Sequence, residues 1–330
     1  MATLVAPERP SPIDDAHVIK KACKGLGTDE KAIISLLGHR NACQIKLIKL
    51  AYQEVYQQDL IEQLKCEISG DFEKAICQWV LDPIERDAIL IHEALDKGKP
   101  NYSLVVEIVS TKLPEELLSV KRAYHKVYKR ALEEDVASHT NGKIRKFLVG
   151  IVSTYKYHGD EIDEIIAHSD ANILHDEIQD KDSIHDEIIR IISTRSKQQL
   201  LDTFNHFNDI HGTSISRALR NSTNSQEHDF FQTLRVAIKC IMNPPKYFAK
   251  ILRNAIVGLG TDEDVVTRVI ITRAEIDLKE IKELYLQRNN KSLDQAIAED
   301  TSGDYRTFLL TLLGSEGFGV TRSVGNIPLL

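Results

Sequence analysis

Four stretches of the chain end alike: "ISLLGHR" at 34–40, "VEIVSTK" at 106–112, "IRIISTR" at 189–195 and "TRVIITR" at 267–273. Placing the closing residues Arg40, Lys112, Arg195 and Arg273 in register, at spacings of 72, 83 and 78, aligns the rest of the sequence. An aromatic stands twelve positions on in every copy (Tyr52, Tyr124, Phe207, Tyr285), and an aliphatic twenty positions on (Leu60, Leu132, Ile215, Leu293). Thirty positions on comes glycine in three copies, Gly70, Gly142 and Gly303, with Ser225 in the other. A chain written this way folds as an array whose units bury one another's apolar faces. Within a copy the apolar period is helical: Ala16, Ile19, Ala22 and Cys23, then Ile33, Leu36 and Leu37, then Ile45, Ile48, Tyr52 and Tyr56. With "LIEQLKCEI" and "GDFEKAICQWVLD" added, each repeat reads as about five short helices. Apolar and polar residues never alternate for long, so the expected fold class is all-α. The expected organisation is a leader (1–13), repeats at 14–84, 85–157, 158–244 and 245–318, and a tail (319–330). Asp82-Pro83 and Asn243-Pro244-Pro245 close the first and third repeats, while "YKYHGDEIDEI" (155–165) makes the longest and most polar join.

Composition narrows the function. The net charge is −7, from 42 basic and 49 acidic residues, and no lysine/arginine run makes the basic stripe of a nucleic-acid binder. Apolar runs such as "FLVGIV" and "FLLTLL" fall far short of the roughly 20 residues that span a bilayer. The opening "MATLVAPERPSPIDD" has no basic and apolar signal pattern, and its prolines suit an extended leader. Five cysteines, Cys23, Cys43, Cys66, Cys77 and Cys240, form no CxxC pair, as expected of thiols in a reducing cytoplasm. An acidic chain is repelled by anionic lipid, so a membrane role needs a bridging cation.

One loop is written twice: "CKGLGTDEKA" at 23–32 and "IVGLGTDEDV" at 256–265. The preceding helix ends near Cys23, with its last carbonyls unpaired at the negative end of the helix dipole. Gly25 and Gly27 let the backbone turn its carbonyls toward one point, and Thr28 is expected to cap the next helix. Converging carbonyls with one carboxylate suit a hard cation such as calcium. The carboxylate stands 39 positions after the loop threonine in both copies, Glu67 after Thr28 and Asp300 after Thr261. Repeat two reads "LDKGKPN" (95–101) with His139 in the acid's place, and repeat three reads "QDKDS" (179–183) with Ser222 there. Loop and acid are lost together, as parts that serve one ligand would be.

Four repeats, GxGT followed at fixed distance by an acid, and the basic residue closing each second helix resemble the annexin family over residues 13–318. "LGHRNA" (37–42), "DPIERDA" (82–88), "EEDVASHT" (133–140) and "KCIMNPPKYF" (239–248) are similar to its plant branch. The resemblance implies a curved all-α disc that binds Ca2+ and docks reversibly on anionic phospholipid membrane from the cytoplasm. It implies one ion on the carbonyls of Cys23, Gly25 and Gly27 with Glu67, and another on Ile256, Gly258 and Gly260 with Asp300. Each site brings one full charge, so the expected affinity without lipid is about 10⁻⁴ M or weaker, with lipid phosphate completing the shell. Leu26 and Leu259 at the loop tips and Lys24 are expected membrane contacts. Related plant proteins often carry Trp at the first tip, so insertion here is expected to be shallow. Glu73 is a candidate for a subsidiary ion, and Arg306 in its place in repeat four argues against a matching one.

Further family features map onto single residues. His39 is the family's candidate for peroxidase-like haem ligation, against a plain helix-end role. "IRI" (189–191) is similar to a proposed F-actin element, although Ile189 and Ile191 suit a buried helix. Asp87, Glu107, Lys112 and Arg268 match the polar lining of the family's central channel, or form a structural ion-pair network. "HDEI" at 175–178 and 185–188 lacks metal-ligand spacing, no P-loop exists, and Thr111 stands where a redox partner for Cys240 is expected. Self-association on membranes is a further expectation of the resemblance. Twelve histidines charging near pH 6 lead to an expectation of calcium-independent membrane attachment in acid.

Overall fold

The computed structural model describes residues 1–315 other than Leu26, 181–183, 222–227 and Leu259. The loop-tip residues Leu26 and Leu259, Ser222, Ser225, part of "QDKDS" and the tail from 319 therefore lie outside the described residues. Among the described residues there are twenty helices and no strand. Repeat one holds α1 (Pro12–Ala22), α2 (Glu30–Leu37), α3 (Ala42–Tyr56), α4 (Leu60–Glu67) and α5 (Gly70–Val80). Repeat two holds α6 (Pro83–Asp96), α7 (Tyr102–Ser110), α8 (Pro114–Tyr128), α9 (Leu132–Ser138) and α10 (Gly142–Ser153). Repeat three holds α11 (Glu164–Gln179), α12 (Asp186–Thr194), α13 (Lys197–His211), α14 (Ile215–Asn221) and α15 (His228–Met242). Repeat four holds α16 (Pro244–Ile256), α17 (Glu263–Arg273), α18 (Leu278–Asn289), α19 (Leu293–Asp300) and α20 (Gly303–Leu312).

The repeat register has a structural cause at each step. The aromatics Tyr52, Tyr124, Phe207 and Tyr285 and the aliphatics Leu60, Leu132, Ile215 and Leu293 are all at most 1 % exposed, so they form the core of each repeat. Between them the third helix always stops on a left-handed residue, Gln57, Lys129, Gly212 or Asn290, whose amide bonds back to the last turn. Gly70, Gly142 and Gly303 open the fifth helices at φ 68°, 53° and 62°, a conformation that side-chain-bearing residues adopt only with strain.

The chain divides into two compact units, one of residues 1–83 with those from 245 onward, the other of residues 84–244. In the first unit α2 packs on α20 and α5 on α17, with Phe72 and Phe308 edge to face at 6.3 Å. Trp79 donates its indole N–H to the Leu37 carbonyl at 2.8 Å inside this core. The leader is bound to both repeats of the unit. The Thr3 amide donates to Ala274 at 2.9 Å, the Thr3 hydroxyl to Leu312 at 2.6 Å, and the Gln44 side chain to the Pro7 carbonyl at 2.6 Å. In the second unit α7 packs on α15 and α10 on α12, with Phe147 edge to face on Phe230.

Three of the four repeats also carry a pair bridging the first helix and the residue closing the second. Arg40 grips the buried Asp15 with two bonds of 2.7 and 2.8 Å, Arg195 grips Asp170 at 2.6 and 3.1 Å, and Lys112 meets Asp87 at 2.6 Å. The acid stands 25 positions before the base in all three. In repeat four that position is Phe248, so Arg273 turns to Asp277 at 2.6 Å and lays its guanidinium over the Phe248 ring at 4.6 Å. Asp87–Lys112 is thus the second-repeat member of a recurring structural pair. Glu107 in α7 and Arg268 in α17 are both buried, and burial pulls the Arg268 guanidinium down to about 10.

Candidate metal sites

The two GxGT loops are built alike. In each, the amide of the residue after the threonine closes the loop, Asp29 onto the Ala22 carbonyl and Asp262 onto Ala255, both at 2.9 Å. Gly27 (φ 102°) and Gly260 (φ 97°) take a left-handed backbone with nothing within 4 Å of where a Cβ would stand. Backbone conformation, not crowding, therefore demands glycine there. Gly25 is similarly left-handed at φ 130°, while Gly258 is not.

The threonine does something other than expected. The helix cap is Asp29, whose carboxylate accepts the Ala32 amide at 3.0 Å, and Asp262 does the same for Val265 at 3.1 Å. Thr28 is thereby freed to donate to Glu67, reaching its carbonyl at 3.0 Å and its Oε2 at 3.4 Å. Thr261 reaches the Asp300 carbonyl at 3.5 Å. The hydroxyl ties each loop to the helix end that carries the acid, α4 or α19. The Gln63 amide holds the other Glu67 oxygen at 2.8 Å.

The donors assembled are main-chain carbonyls and single carboxylates, an all-oxygen set that fits a hard cation such as calcium. Among the described residues no group of three or more His, Cys, Asp or Glu side chains is placed to hold a metal. The Cys23 thiol is no competitor, since burial and the Glu67 charge push it up to about 11. Between the two acids lies a cleft of about 530 Å³, lined by Glu30, Glu67, Asp71, Glu263, Asp300 and Asp304 among others. Its field draws cations in and repels anionic lipid.

Repeat two keeps the frame and loses the chemistry. The Asn101 amide still closes onto Ala94 at 2.7 Å. The positions of Gly25, Gly27 and Thr28 hold Lys97, Lys99 and Pro100, and His139 spends its Nδ1 on the Asp135 carbonyl at 2.8 Å. Elsewhere, Glu73 lies in the first turn of α5, and Arg306 donates to the Ala298 carbonyl at 3.0 Å. Lys24 is exposed beside the first loop. His39 Nδ1 lies 2.8 Å from the Ser35 carbonyl, a helix-end contact. Ile189 and Ile191 are buried, His175 stacks on His211 at 3.8 Å, and His185 stacks on Phe230. None of the five cysteines forms a disulfide.

The fold and the doubled loop define a class, and the comparisons give it a family. The annexin family model matches four times, at 14–79, 86–151, 169–234 and 247–312. The chain is 54 % identical over 316 residues to the annexin-like protein RJ4 of Fragaria ananassa, covering 96 % of this chain and 100 % of that one. It is 48 % identical over 317 residues to annexin D7 of Arabidopsis thaliana, at 96 % and 99 % coverage. Among solved structures it superposes on annexin III with a TM-score of 0.89 at 32 % identity, covering 95 % of this chain and 97 % of that one. A calcium-bound annexin (Sm)1 matches with a TM-score of 0.82 at 29 % identity, covering 95 % and 93 %. The chain belongs to the annexin family, and its fold is the all-α annexin fold.

Proposed function

We propose that this chain binds acidic phospholipid membranes in a calcium-dependent manner through the loops of repeats one and four. The observation that carries the proposal is the shared tie of loop threonine to acid-bearing helix in those repeats, and its replacement by Pro100 and His139 in repeat two. The carbonyls of Cys23, Gly25 and Gly27 with Glu67 hold one ion; those of Ile256, Gly258 and Gly260 with Asp300 hold the other. Bound calcium supplies a positive bridge between the acid-lined cleft and lipid phosphate. The protein holds part of the coordination shell and lipid fills the rest, so each ligand raises affinity for the other. Lys24 adds a headgroup contact, Leu26 and Leu259 rest at the interface, and Glu73 serves a subsidiary ion. Family membership points to a binding protein rather than an enzyme, with reversible membrane attachment from the cytoplasm.

The rival readings have less to stand on. The Ser35 contact of His39 favours helix capping over haem ligation, and the burial of Ile189 and Ile191 favours packing over F-actin contact. For Asp87 and Lys112 the recurrence of their pair in other repeats favours a structural network over a conducting channel. The test is calorimetric titration of calcium with and without a soluble short-chain phosphatidylserine. The lipid should raise calcium affinity by about tenfold or more, and calcium should raise lipid affinity by the same factor. Equal calcium affinity in both titrations rejects the bridging mechanism.

A further inference from the structure

The second unit carries a pocket that the loop sites do not use. Its walls are aliphatic, from Leu113 and Leu117 of the α8 start, Ile151 of α10, Ile192 of α12, Leu200 of α13 and Ile241 of α15. The join between repeats two and three, including Thr154 and residues 156–158, closes it over a space of about 90 Å³. At 10–15 Å³ for each water-sized occupant, that is room for roughly six to nine small groups. The basic side chains lining it are Lys112, Lys156, His158 and Lys197, beside the Tyr157 phenol, and no carboxylate lines it. Two of these already face an acid from outside the pocket. Lys112 meets Asp87 at 2.6 Å, and His158 stands 3.9 Å from the exposed Glu115.

Lys156 and Lys197 have no ion pair among the described residues. The Lys156 side chain is half-buried, and its Nζ donates to the Ile192 carbonyl at 2.5 Å. Burial alone pulls its pKa down to about 8. An ammonium has three donors, so two remain for a ligand. A cation held in an apolar wall without a counter-charge is unfavourable until an anion arrives, and an anion that brings hydrocarbon also fills the walls. Lys197, exposed at the rim, adds a second positive charge.

We propose that this pocket binds an aliphatic carboxylate, its head group on the Lys156 ammonium and its hydrocarbon chain against Leu117, Ile151, Ile192 and Leu200. A monoanionic carboxylate matches the single buried ammonium, and the small volume selects a short or medium chain. Nothing in the site depends on calcium or on a bilayer.

The test uses the full chain in EGTA without vesicles, titrated with sodium hexanoate, whose eight heavy atoms match the space, below its micelle concentration and followed by calorimetry and methyl NMR. The expected result is saturable one-to-one binding with shifts at the Ile151 and Ile192 methyls. Lys156→Met should lower affinity by about tenfold, equivalent to about 1.4 kcal/mol. Lys156→Arg should preserve binding, and Lys197→Glu, an exposed change that leaves the fold intact, should weaken it through charge reversal at the rim. Hexanol, which keeps the tail, and inorganic phosphate, which keeps only a charge, should both bind far more weakly. Absence of saturable hexanoate binding, equal affinity for hexanol or phosphate, or unchanged binding in Lys156→Met would overturn the assignment.

Discussion

Removing Arg40 should destabilise the first unit far more than removing the pair it forms with Asp15. The Asp15 side chain is 9 % exposed and both its oxygens are taken by Arg40, at 2.7 and 2.8 Å. Arg40→Met therefore strands a carboxylate where water cannot reach it, a change that costs about 3–5 kcal/mol. Replacing both, as Arg40→Met with Asp15→Leu, removes the desolvated charges together and should bring the loss back to within about 1–2 kcal/mol of wild type. Repeat four already shows the acid position tolerating an apolar residue, Phe248. The assay is urea denaturation followed by tryptophan fluorescence. The chain has one tryptophan, Trp79, whose indole bonds to Leu37 three residues before Arg40, so the signal reports this unit. The expected order of stability is wild type, then double variant, then Arg40→Met. A double variant whose loss equals or exceeds that of Arg40→Met would refute the reasoning, because it would mean that the stranded carboxylate is not what destabilises the single variant.

Other consequences are equally direct. Thr28→Val removes the hydroxyl that holds Glu67 to the loop; at about 1 kcal/mol for one hydrogen bond, calcium affinity at the first site should fall about fivefold with the fold retained, as read by calorimetry in the presence of lipid. Burial, and then the stacked His175, lower the His211 pKa, with Asp176 opposing. The folded state thus resists protonation, so this stability is fully present above about pH 6.5 and drains as pH falls from there toward the lower folded value. Protection against hydrogen exchange across α11 and α13, corrected for the intrinsic exchange rate at each pH, should fall between pH 7.5 and 5.5 in wild type and change less in His211→Gln. Vesicle attachment in EGTA is expected from the count of twelve histidines to rise on going to pH 5, and unchanged sedimentation would reject that expectation.

The repeat register was legible because it records burial. The aromatic and aliphatic at twelve and twenty positions are the core of every repeat, and a buried large residue in a fixed helical phase leaves a strong mark on sequence. The fixed 39-residue interval was legible because it joins a loop to the end of the third helix after it, a distance set by regular geometry. The recurring ion pair was present in the same register, 25 positions before each closing base, and went unread because one of its four members, Phe248, breaks the pattern. The cap was misassigned to Thr28 because threonine and aspartate are both good caps, and only the tertiary pull of Glu67 separates their roles. The anchoring of the leader was invisible since each of its hydrogen bonds ends on a main-chain carbonyl, which any residue supplies. The Lys156 pocket was hidden as well, since its roof is a polar join with no periodicity and its walls come from six helices spread over two repeats.

The central claim is that two loop sites hold this chain on membrane through calcium. Its most direct test is co-sedimentation with phosphatidylserine vesicles in calcium and in EGTA, with wild type beside Glu67→Gln, Asp300→Asn and the double variant. The account predicts that wild type pellets in calcium alone, that each single variant needs more calcium, and that the double variant stays in the supernatant. A double variant that pellets with vesicles at the wild-type calcium concentration would contradict it.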